Sequence, residues 1–430
     1  MTRLALTNDG RSVSRFAQDP VIAARVASPQ ESEKVPVELC LVLTQWHPLY
    51  GGPNYYFHRI MGALSSQFCR VTIFVPRQNT VTLTRPTQQN VELIELSNPF
   101  CSRGNSICND LFGLHVLLRV RRRARVNRLA PVIYFGGGDR AIGWRAAAIA
   151  GRRFGIPVIV ECVLLGSDDG KTLLSGRLKA LSRRAMRSVS RFSCVSTGLA
   201  DSLASVGVAS ERIVHNPLGI NLHEFVPSNA EEKSAIRRKL GVPPEGFIGV
   251  FVGGVIARKG VLDLVHSWVA LQTSRPDESI TLLIVGPANE PAYMGEIRAF
   301  LDSHAHGKSV IFLGLRQDIA EILKASDVYC SAAHAEGLPV ATLEALASGL
   351  PVVQRYIPGV SEDLLYKDSV AVLRKWTDQD FIDAVSPLMD KTVWERASAE
   401  ARLHAETSFS VDGRIQRIKW LCGVQRLAST

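Results

Sequence analysis

Phe247-Ile-Gly-Val-Phe-Val252-Gly253-Gly254-Val-Ile-Ala-Arg258-Lys259-Gly260 reads as a strand, a glycine turn and the approach to a helix that begins near Val261. Glycines after a strand let backbone N–H groups come close to a phosphate, and Arg258 and Lys259 supply charge to neutralise it. The order does not fit Gly-x4-Gly-Lys-Ser/Thr, which disfavours a P-loop ATPase. A tight turn carrying two exposed cations is the alternative that this stretch alone leaves open.

Working outward, the same alternation of short β-rich runs and helical stretches fills the chain. Val37–Leu43, Arg70–Val75, Val91–Leu96, Val132–Phe135, Pro157–Val160, Arg191–Val195 and Arg212–His215 form a first series. Phe247–Val252, Ile280–Val285, Ser309–Leu313, Val328–Ser331 and Pro351–Val353 form a second. Such alternation predicts two α/β domains in tandem, each a parallel sheet with crossover helices. The boundaries expected are a loosely ordered extension over 1–36, a first domain over 37–226, a charged linker over 227–246, a second domain over 247–410 and a closing helix within 411–430. No repeat of solenoid length and no low-complexity tract interrupts the pattern.

The second domain also carries Glu336-Gly337-Leu338-Pro339-Val340-Ala-Thr-Leu-Glu344, two carboxylates eight residues apart around a helix start. On a helical rise of about 1.5 Å per residue the acids would stand roughly 12 Å apart, near the span from a sugar ring across a diphosphate to a ribose. Glu336, in the loop after Val328–Ser331, would accept hydrogen bonds from sugar hydroxyls. Gly337, Leu338 and Pro339 would shape a turn with amides facing the ligand, and Glu344 would receive both hydroxyls of a ribose. Two ordinary surface glutamates are the bland alternative, which the apolar helix Val340–Leu350 disfavours.

Near the start of the first domain, Leu41-Val-Leu-Thr44 leads through Gln45-Trp-His47-Pro-Leu-Tyr into Gly51-Gly52-Pro-Asn54-Tyr-Tyr-Phe-His58. The glycine pair would approach the same diphosphate from the opposite side. His47 would bond a sugar hydroxyl or act as a local base, unless it is merely an exposed loop residue. His47, Asn54 and Asp168 are the acceptor-side candidates. Gly136-Gly-Gly-Asp139 lacks the Gly-x-Gly-x-x-Gly order and reads as a turn opening the next helix.

A chain of 430 residues with 46% hydrophobic content is too long for one ordinary core and needs no disulfides to fold. Its eight cysteines, Cys40, Cys69, Cys101, Cys108, Cys162, Cys194, Cys330 and Cys422, include no Cys-x-x-Cys pair and read as reduced, buried thiols of a cytoplasmic protein. The opening residues lack the apolar stretch of a signal peptide, and no run is long enough to span a membrane.

Charge is unevenly divided. Residues 1–226 hold 28 Lys+Arg against 15 Asp+Glu, whereas 227–430 hold 22 against 25. The excess concentrates in Leu117–Arg128 and Arg183–Arg191. A basic helix of this kind suits an anionic membrane surface or a phosphorylated acceptor, or is simply a solvated face. Nucleic acid is disfavoured, since no aromatics are interleaved and no nucleic-acid motif accompanies the runs.

Taken together, Gly253–Gly260, Ala325-Ser-Asp-Val-Tyr-Cys-Ser331, the Glu336–Glu344 pair, Ser348-Gly-Leu-Pro-Val-Val353 and Pro358-Gly-Val-Ser-Glu362 occur in the order of the retaining glycosyltransferases of family 4, which this chain resembles. Val195-Ser196, Asp201-Ser-Leu and Ile213-Val-His-Asn216-Pro-Leu-Gly-Ile-Asn221 through Pro227 extend the similarity upstream. The resemblance implies a GT-B fold, two Rossmann-like domains facing across a cleft, with the acceptor on the first and a nucleotide-diphosphate sugar held mainly by the second. It implies no metal and no cofactor, the nucleotide sugar being a substrate. It assigns Lys259 to the donor diphosphate, Glu336 to the transferred sugar, Glu344 to the ribose, Gly52 to closing over the phosphates, and the backbone of Leu338 to Val340 to the sugar.

The acceptor implied is a glycan or a lipid-linked one, as in surface polysaccharide assembly, with the protein cytoplasmic and peripheral at the inner membrane face. A catalytically idle nucleotide-sugar-binding or scaffold protein of the same fold is the alternative. Three departures from the family pattern bear on it. Gly254 stands where the family has arginine, leaving Arg258 as the second phosphate cation. Cys162-Val-Leu-Leu-Gly-Ser-Asp168-Asp169 stands where it often has histidine. Gln354-Arg-Tyr-Ile-Pro358 replaces small polar residues.

Overall fold

Apolar runs such as Ile280–Val285, buried at every position, need cover on both faces, and only a parallel sheet flanked by helices provides it. The computed structural model describes residues 34–44, 46, 52–77, 85–97, 106–127, 129–136, 143–175 and 178–423, with side chains from 55 and 108 onward in the helices that open at 52 and 106. The first sheet comprises β1 Val35–Val42, β2 Phe68–Pro76, β3 Val91–Leu96, β4 Ala130–Phe135, β5 Val158–Cys162, β6 Arg191–Cys194 and β7 Ile213–His215. The second comprises β8 Phe247–Val252, β9 Ile280–Val285, β10 Val310–Gly314, β11 Val328–Ser331, β12 Val352–Arg355 and β13 Val370–Leu373.

Every strand pairing is parallel. The orders are β3-β2-β1-β4-β5-β6-β7 and β10-β9-β8-β11-β12-β13. Both are doubly wound: the chain lays strands to one side of β1 or β8 and then returns to the other. The crevice for a ligand opens at that reversal, beyond the carboxyl ends of β1 and β4 in one sheet and of β8 and β11 in the other.

Two parts of the architecture differ from expectation. The short strand β13 was not anticipated. The charged segment expected as a linker is largely the helix Ala230–Leu240, started by Asn229 Oδ1 accepting from Glu232 N at 2.8 Å. Lys233 and Arg237 on this helix bind Asp327 at 2.8 and 2.6 Å, fastening it to the second domain. Its charges are those of a helix that docks by ion pairs.

The chain passes from first domain to second near Asn216–Pro227 and then returns. The helix Lys391–Ser408 packs on Val340–Ala347 in the second domain, and the helix Val411–Leu421 packs on Gly52–Gln67 in the first. The two passages are stitched to each other, with Ile220 N donating to Phe409 O at 2.6 Å and Val411 N to Ile220 O at 3.3 Å. The returning helix delivers Arg414 into the first domain, where it is fully buried and paired with Glu161 of β5 and the carbonyl of Asn216. Tyr134 Oη lies 2.8 Å from Glu161 and 3.0 Å from Ser193 Oγ, and Asn216 Nδ2 donates to that serine at 3.0 Å.

The basic run on the helix Ser106–Asn127 divides by face. Arg123 pairs with Glu92 and with the buried Glu38, and Arg121 stacks 4.0 Å over the Phe154 ring. Arg119, Arg122 and Arg125 are exposed, beside exposed Leu111, Leu118 and Val126. The helices Trp144–Phe154 and Lys179–Ser188 pack alongside and add exposed Arg152, Arg153, Lys179, Arg183, Arg184 and Arg187. Among the described residues no helix is long and apolar enough to cross a membrane, and the described cysteines are free thiols, with Cys69 exposed rather than buried. Cys101 lies outside the described residues, as do residues 1–33 of the extension expected over 1–36, whereas Val35 and Pro36 already belong to β1.

Candidate functional site

The loops that leave β8 and β11, neighbours at the reversal of the second sheet, carry the expected donor residues. After β8 the chain makes a short 3-10 turn, Ala257–Lys259, and passes through Gly260 at φ +62° into the helix Val261–Ser274. A Cβ at Gly260 would lie 2.1 Å from Ala332 O, so a side chain is excluded by both conformation and space. That contact brings the two loops together. His334 N donates to Arg258 O at 2.9 Å, and Arg258 Nη1 donates to Ala335 O at 2.5 Å.

The consequence is a compact ion cluster. Lys259 Nζ is hydrogen-bonded to Glu336 Oε1, and Arg258 Nη1 lies 3.5 Å from the same oxygen. Two cations on one largely buried carboxylate leave a positive charge over, which is what a site for a diphosphate requires. A Cβ at Gly254 would make only ordinary contacts, with Pro287 O at 3.8 Å and Asn289 Nδ2 at 3.9 Å, so the position itself tolerates a Cβ.

Arg355, one of the departures noted in sequence, holds the cluster from behind. It donates to Ala332 O at 2.9 Å and pairs with Asp263 on the helix Val261–Ser274.

The helix bearing Glu344 begins at Val340, with Pro339 at its cap position, and ends at Ala347. Glu336 therefore stands in the loop, and the separation reckoned on continuous helical rise does not apply. Pro339 has no N–H, so of Gly337 to Val340 it is the residue without an amide to offer a ligand. Gly337 meets the first domain: a Cβ there would sit 1.4 Å from Val163 O. The loop after β5 thus closes directly on the loop of Glu336. Further along the same seam, Gly198 N donates to Gly359 O at 2.8 Å and Thr197 N to Asp363 Oδ2 at 2.7 Å.

Glu344 is buried, and its carboxyl is pushed up to about 7. Burial is the main cause; the nearby Arg59 guanidinium acts against it and the Glu224 carboxylate reinforces it. Arg59 comes from the first-domain helix Gly52–Gln67. Its Nη1 lies 3.4 Å from Glu344 Oε1, its Nη2 pairs with Glu224, and its plane lies 4.9 Å over the Phe225 ring. Arg402 fixes this neighbourhood by donating to the carbonyls of Ala347 and Phe225 at 2.7 Å each. Arg59 and Glu224 were missed in the sequence. Arg59 follows His58, one residue beyond the glycine segment read as significant, and its acidic partners are 165 and more positions away in the chain.

The acceptor-side candidates fare differently. Asp168 is buried, and its Oδ2 accepts from Val163 N and Leu164 N at 3.1 and 3.2 Å. Through those two bonds its carboxylate shapes the loop after β5. Asp169 similarly caps the short helix Gly170–Leu173. Gly52 opens the first-domain helix, Asn54 lies in its first turn, and His47, Gly51 and Gly137–Asp139 lie outside the described residues.

Comparison with known proteins matches residues 246–391 to a family described as glycosyl transferases group 1, and residues 51–219 to a glycosyl transferase 4-like domain. A D-inositol 3-phosphate glycosyltransferase from Jonesia denitrificans is 28% identical over 194 residues, 44% of this chain and 46% of that protein. The chain likewise spans about half the length of several other curated relatives it matches. The UDP-Gal:alpha-D-GlcNAc-diphosphoundecaprenol alpha-1,3-galactosyltransferase of Escherichia coli is 28% identical over 329 residues, 75% of this chain and 81% of that protein.

Among solved structures, Anabaena Alr3699/HepE in complex with UDP superimposes with a TM-score of 0.72 at 17% identity, covering 90% of this chain and 100% of that one. That likeness concerns the fold. Two doubly wound parallel sheets with a cation–carboxylate cluster at the reversal of the second, and family matches that together cover most of the sequence, place the chain in the group 1 glycosyltransferases of GT-B fold.

Proposed function

We propose that the protein is a retaining, metal-independent glycosyltransferase that moves a sugar from a nucleotide-diphosphate sugar to a hydroxyl of a glycan or lipid-linked acceptor. The observation that carries the reading is the cluster of Lys259 and Arg258 on Glu336, with Glu344 on the helix that follows. In this reading the donor lies across the second sheet's reversal, its diphosphate toward Lys259 and Arg258, its sugar toward Glu336 and the amides of Leu338 and Val340, and its ribose toward Glu344. The anomeric carbon–oxygen bond to the diphosphate breaks as an oxocarbenium-like sugar forms, and negative charge grows on the departing diphosphate. Lys259 and Arg258 stabilise that charge in a site from which water is largely excluded. The acceptor hydroxyl attacks from the same face; its oxygen bonds to the anomeric carbon and its proton passes to a diphosphate oxygen. Glu336 orients the sugar and stabilises its positive charge without forming a covalent bond.

A uracil nucleotide is the first donor to test, given the UDP in the Anabaena complex and the UDP-Gal of the Escherichia coli relative. That relative's diphosphoundecaprenol acceptor and the exposed arginines of the first domain support an acceptor held at the cytoplasmic face of a membrane. The deciding experiment is thermal unfolding with a panel of nucleotide sugars, followed by turnover with polyprenyl-diphosphate-linked acceptors. A donor that binds the folded and not the unfolded protein raises the melting temperature. The protection is expected with at least one donor and lost in Lys259→Ala. Protection without transfer to any acceptor would favour an idle binding protein, a reading kept in view by Gly254 and by the Cys162–Asp169 stretch that stands where the family often has histidine. No protection by any nucleotide sugar would refute both.

A further inference from the structure

The Arg59 bridge is unexplained by the donor site as drawn from the second domain alone. A guanidinium from the first domain reaches between two carboxylates, Glu344 of the second domain and Glu224 of the segment that joins the domains. Four contacts fix its plane: these two acids, the Tyr55 hydroxyl one turn earlier on its own helix, and the face of Phe225. Such a planar fork matches carboxylates in a way that lysine does not. We propose that Arg59 is a positioning residue for the donor, holding the Glu344 carboxylate charged and aimed at the ribose, with Glu224 as the opposing charge that sets how firmly. The proposal rests on the reading of Glu344 as the ribose acid.

The chemistry follows from what a vicinal diol needs. An ionised carboxylate accepts from both hydroxyls at once, one per oxygen, whereas a protonated carboxyl must use its own O–H and presents a poorer pair of acceptors. Glu344 sits where burial disfavours its charge. The charged or titratable groups that face it are Arg59 and Tyr55 on the first-domain helix, Glu224 on the joining segment, and Tyr329 on β11 below; Arg402, on the helix packed behind, is engaged by backbone carbonyls. Among these Arg59 is the one that favours the ionised form. Because Arg59 belongs to the other domain, the ribose acid is fully prepared only when the two domains are together. Donor affinity and domain closure are thereby linked through one side chain.

The test is the pH dependence of donor binding, with UDP-glucose and GDP-mannose as probes because the diphosphate of a nucleotide sugar does not titrate near neutrality. In the unaltered protein, affinity is expected to rise with pH through about 7. If loss of Arg59 moves the Glu344 transition up by one unit, Arg59→Gln binds about fivefold more weakly at pH 7 and converges with the unaltered protein by about pH 9. Glu224→Gln is expected to do the opposite, binding about fivefold more tightly at pH 6 for a one-unit downward move. Arg59→Lys should recover part of the affinity at pH 7.

A loss in Arg59→Gln that is the same at every pH, or an unchanged profile in both variants, would overturn the proposal while leaving the donor site intact. If the unaltered protein binds neither probe nor any other nucleotide sugar, the functional reading itself falls, and this inference with it. Should Arg59→Gln fail to fold, the Glu224→Gln profile alone decides.

Discussion

Gly337→Ala is the sharpest perturbation the seam allows. The new Cβ would stand 1.4 Å from Val163 O and 3.2 Å from Leu164 N. Relief requires the loop of Glu336 and the loop after β5 to part by about 2 Å, the shortfall from ordinary carbon–oxygen contact. Overpacking inside a core costs about 1–3 kcal/mol, but here the clash lies between two domains and separation relieves it. The stability loss is therefore expected near the lower end, about 1 kcal/mol.

Activity has no such escape. Glu336 and the amides on either side of Pro339 move with the loop, and a misplacement of about 1 Å can cost about 100-fold in rate. We expect kcat/KM to fall about 100-fold or more, measured with whichever nucleotide sugar protects the protein, alongside a modest drop in melting temperature. Gly295→Ala serves as the control, since a Cβ at that exposed helical position meets nothing within 4 Å. It should leave turnover unchanged and slightly stabilise the helix. Gly337→Ala turning over within threefold of the unaltered protein would refute the reasoning, as would a loss of activity accounted for by unfolding.

The buried pair of Arg414 and Glu161 gives a second expectation: Arg414→Met should destabilise by about 3–5 kcal/mol in urea unfolding, because Glu161 is left buried without its cation. Replacing Glu161 by leucine in the same chain should return much of that loss. The third concerns Glu344 in the absence of donor. Its carboxyl is raised from 4.5 to about 7 in the folded protein, so its contribution to stability is fully present below pH 4.5 and is lost as pH rises through 7. The melting temperature should decline across that interval more in the unaltered protein than in Glu344→Gln, and equal slopes would count against the burial argument. Finally, sedimentation with vesicles containing anionic lipid should weaken when Arg119, Arg122 and Arg125 are replaced by glutamine, and more so at high salt. Replacing Arg121, held over Phe154, should have little effect on vesicle binding.

The doubly wound architecture was legible because strand runs such as Phe247–Val252 and Ile280–Val285 are apolar at nearly every position and each is followed by turn and helix signals. β13, at a sheet edge, buries only Val370 fully and was passed over although it is as long as β11 and β12. The helix Ala230–Leu240 was hidden for a different reason: its stability comes from ion pairs to Asp327, a partner 90 or more positions away, and not from an apolar stripe. In the site, Lys259 and Glu336 could be picked out because each follows a strand end within several residues, and Glu344 because it is the lone acid on an apolar helix. Asp168 shows the limit of that rule, since a carboxylate after a strand looks the same whether it faces the cleft or turns back on its own loop. Arg59 illustrates the other limit. Nothing local marks it, and its meaning comes only from the approach of Glu344 and Glu224 across the fold.

The two stitched passages at Ile220 and Ser410 have a mechanical consequence. A pair of domains joined by one strand can swivel and tilt freely, but two strands clipped side by side act as the pin of a door. Two clipped passages restrain swivel and tilt more than one would, so a parting of the domains that admits a ligand would draw Val163 from Gly337 and Arg59 from Glu344 together.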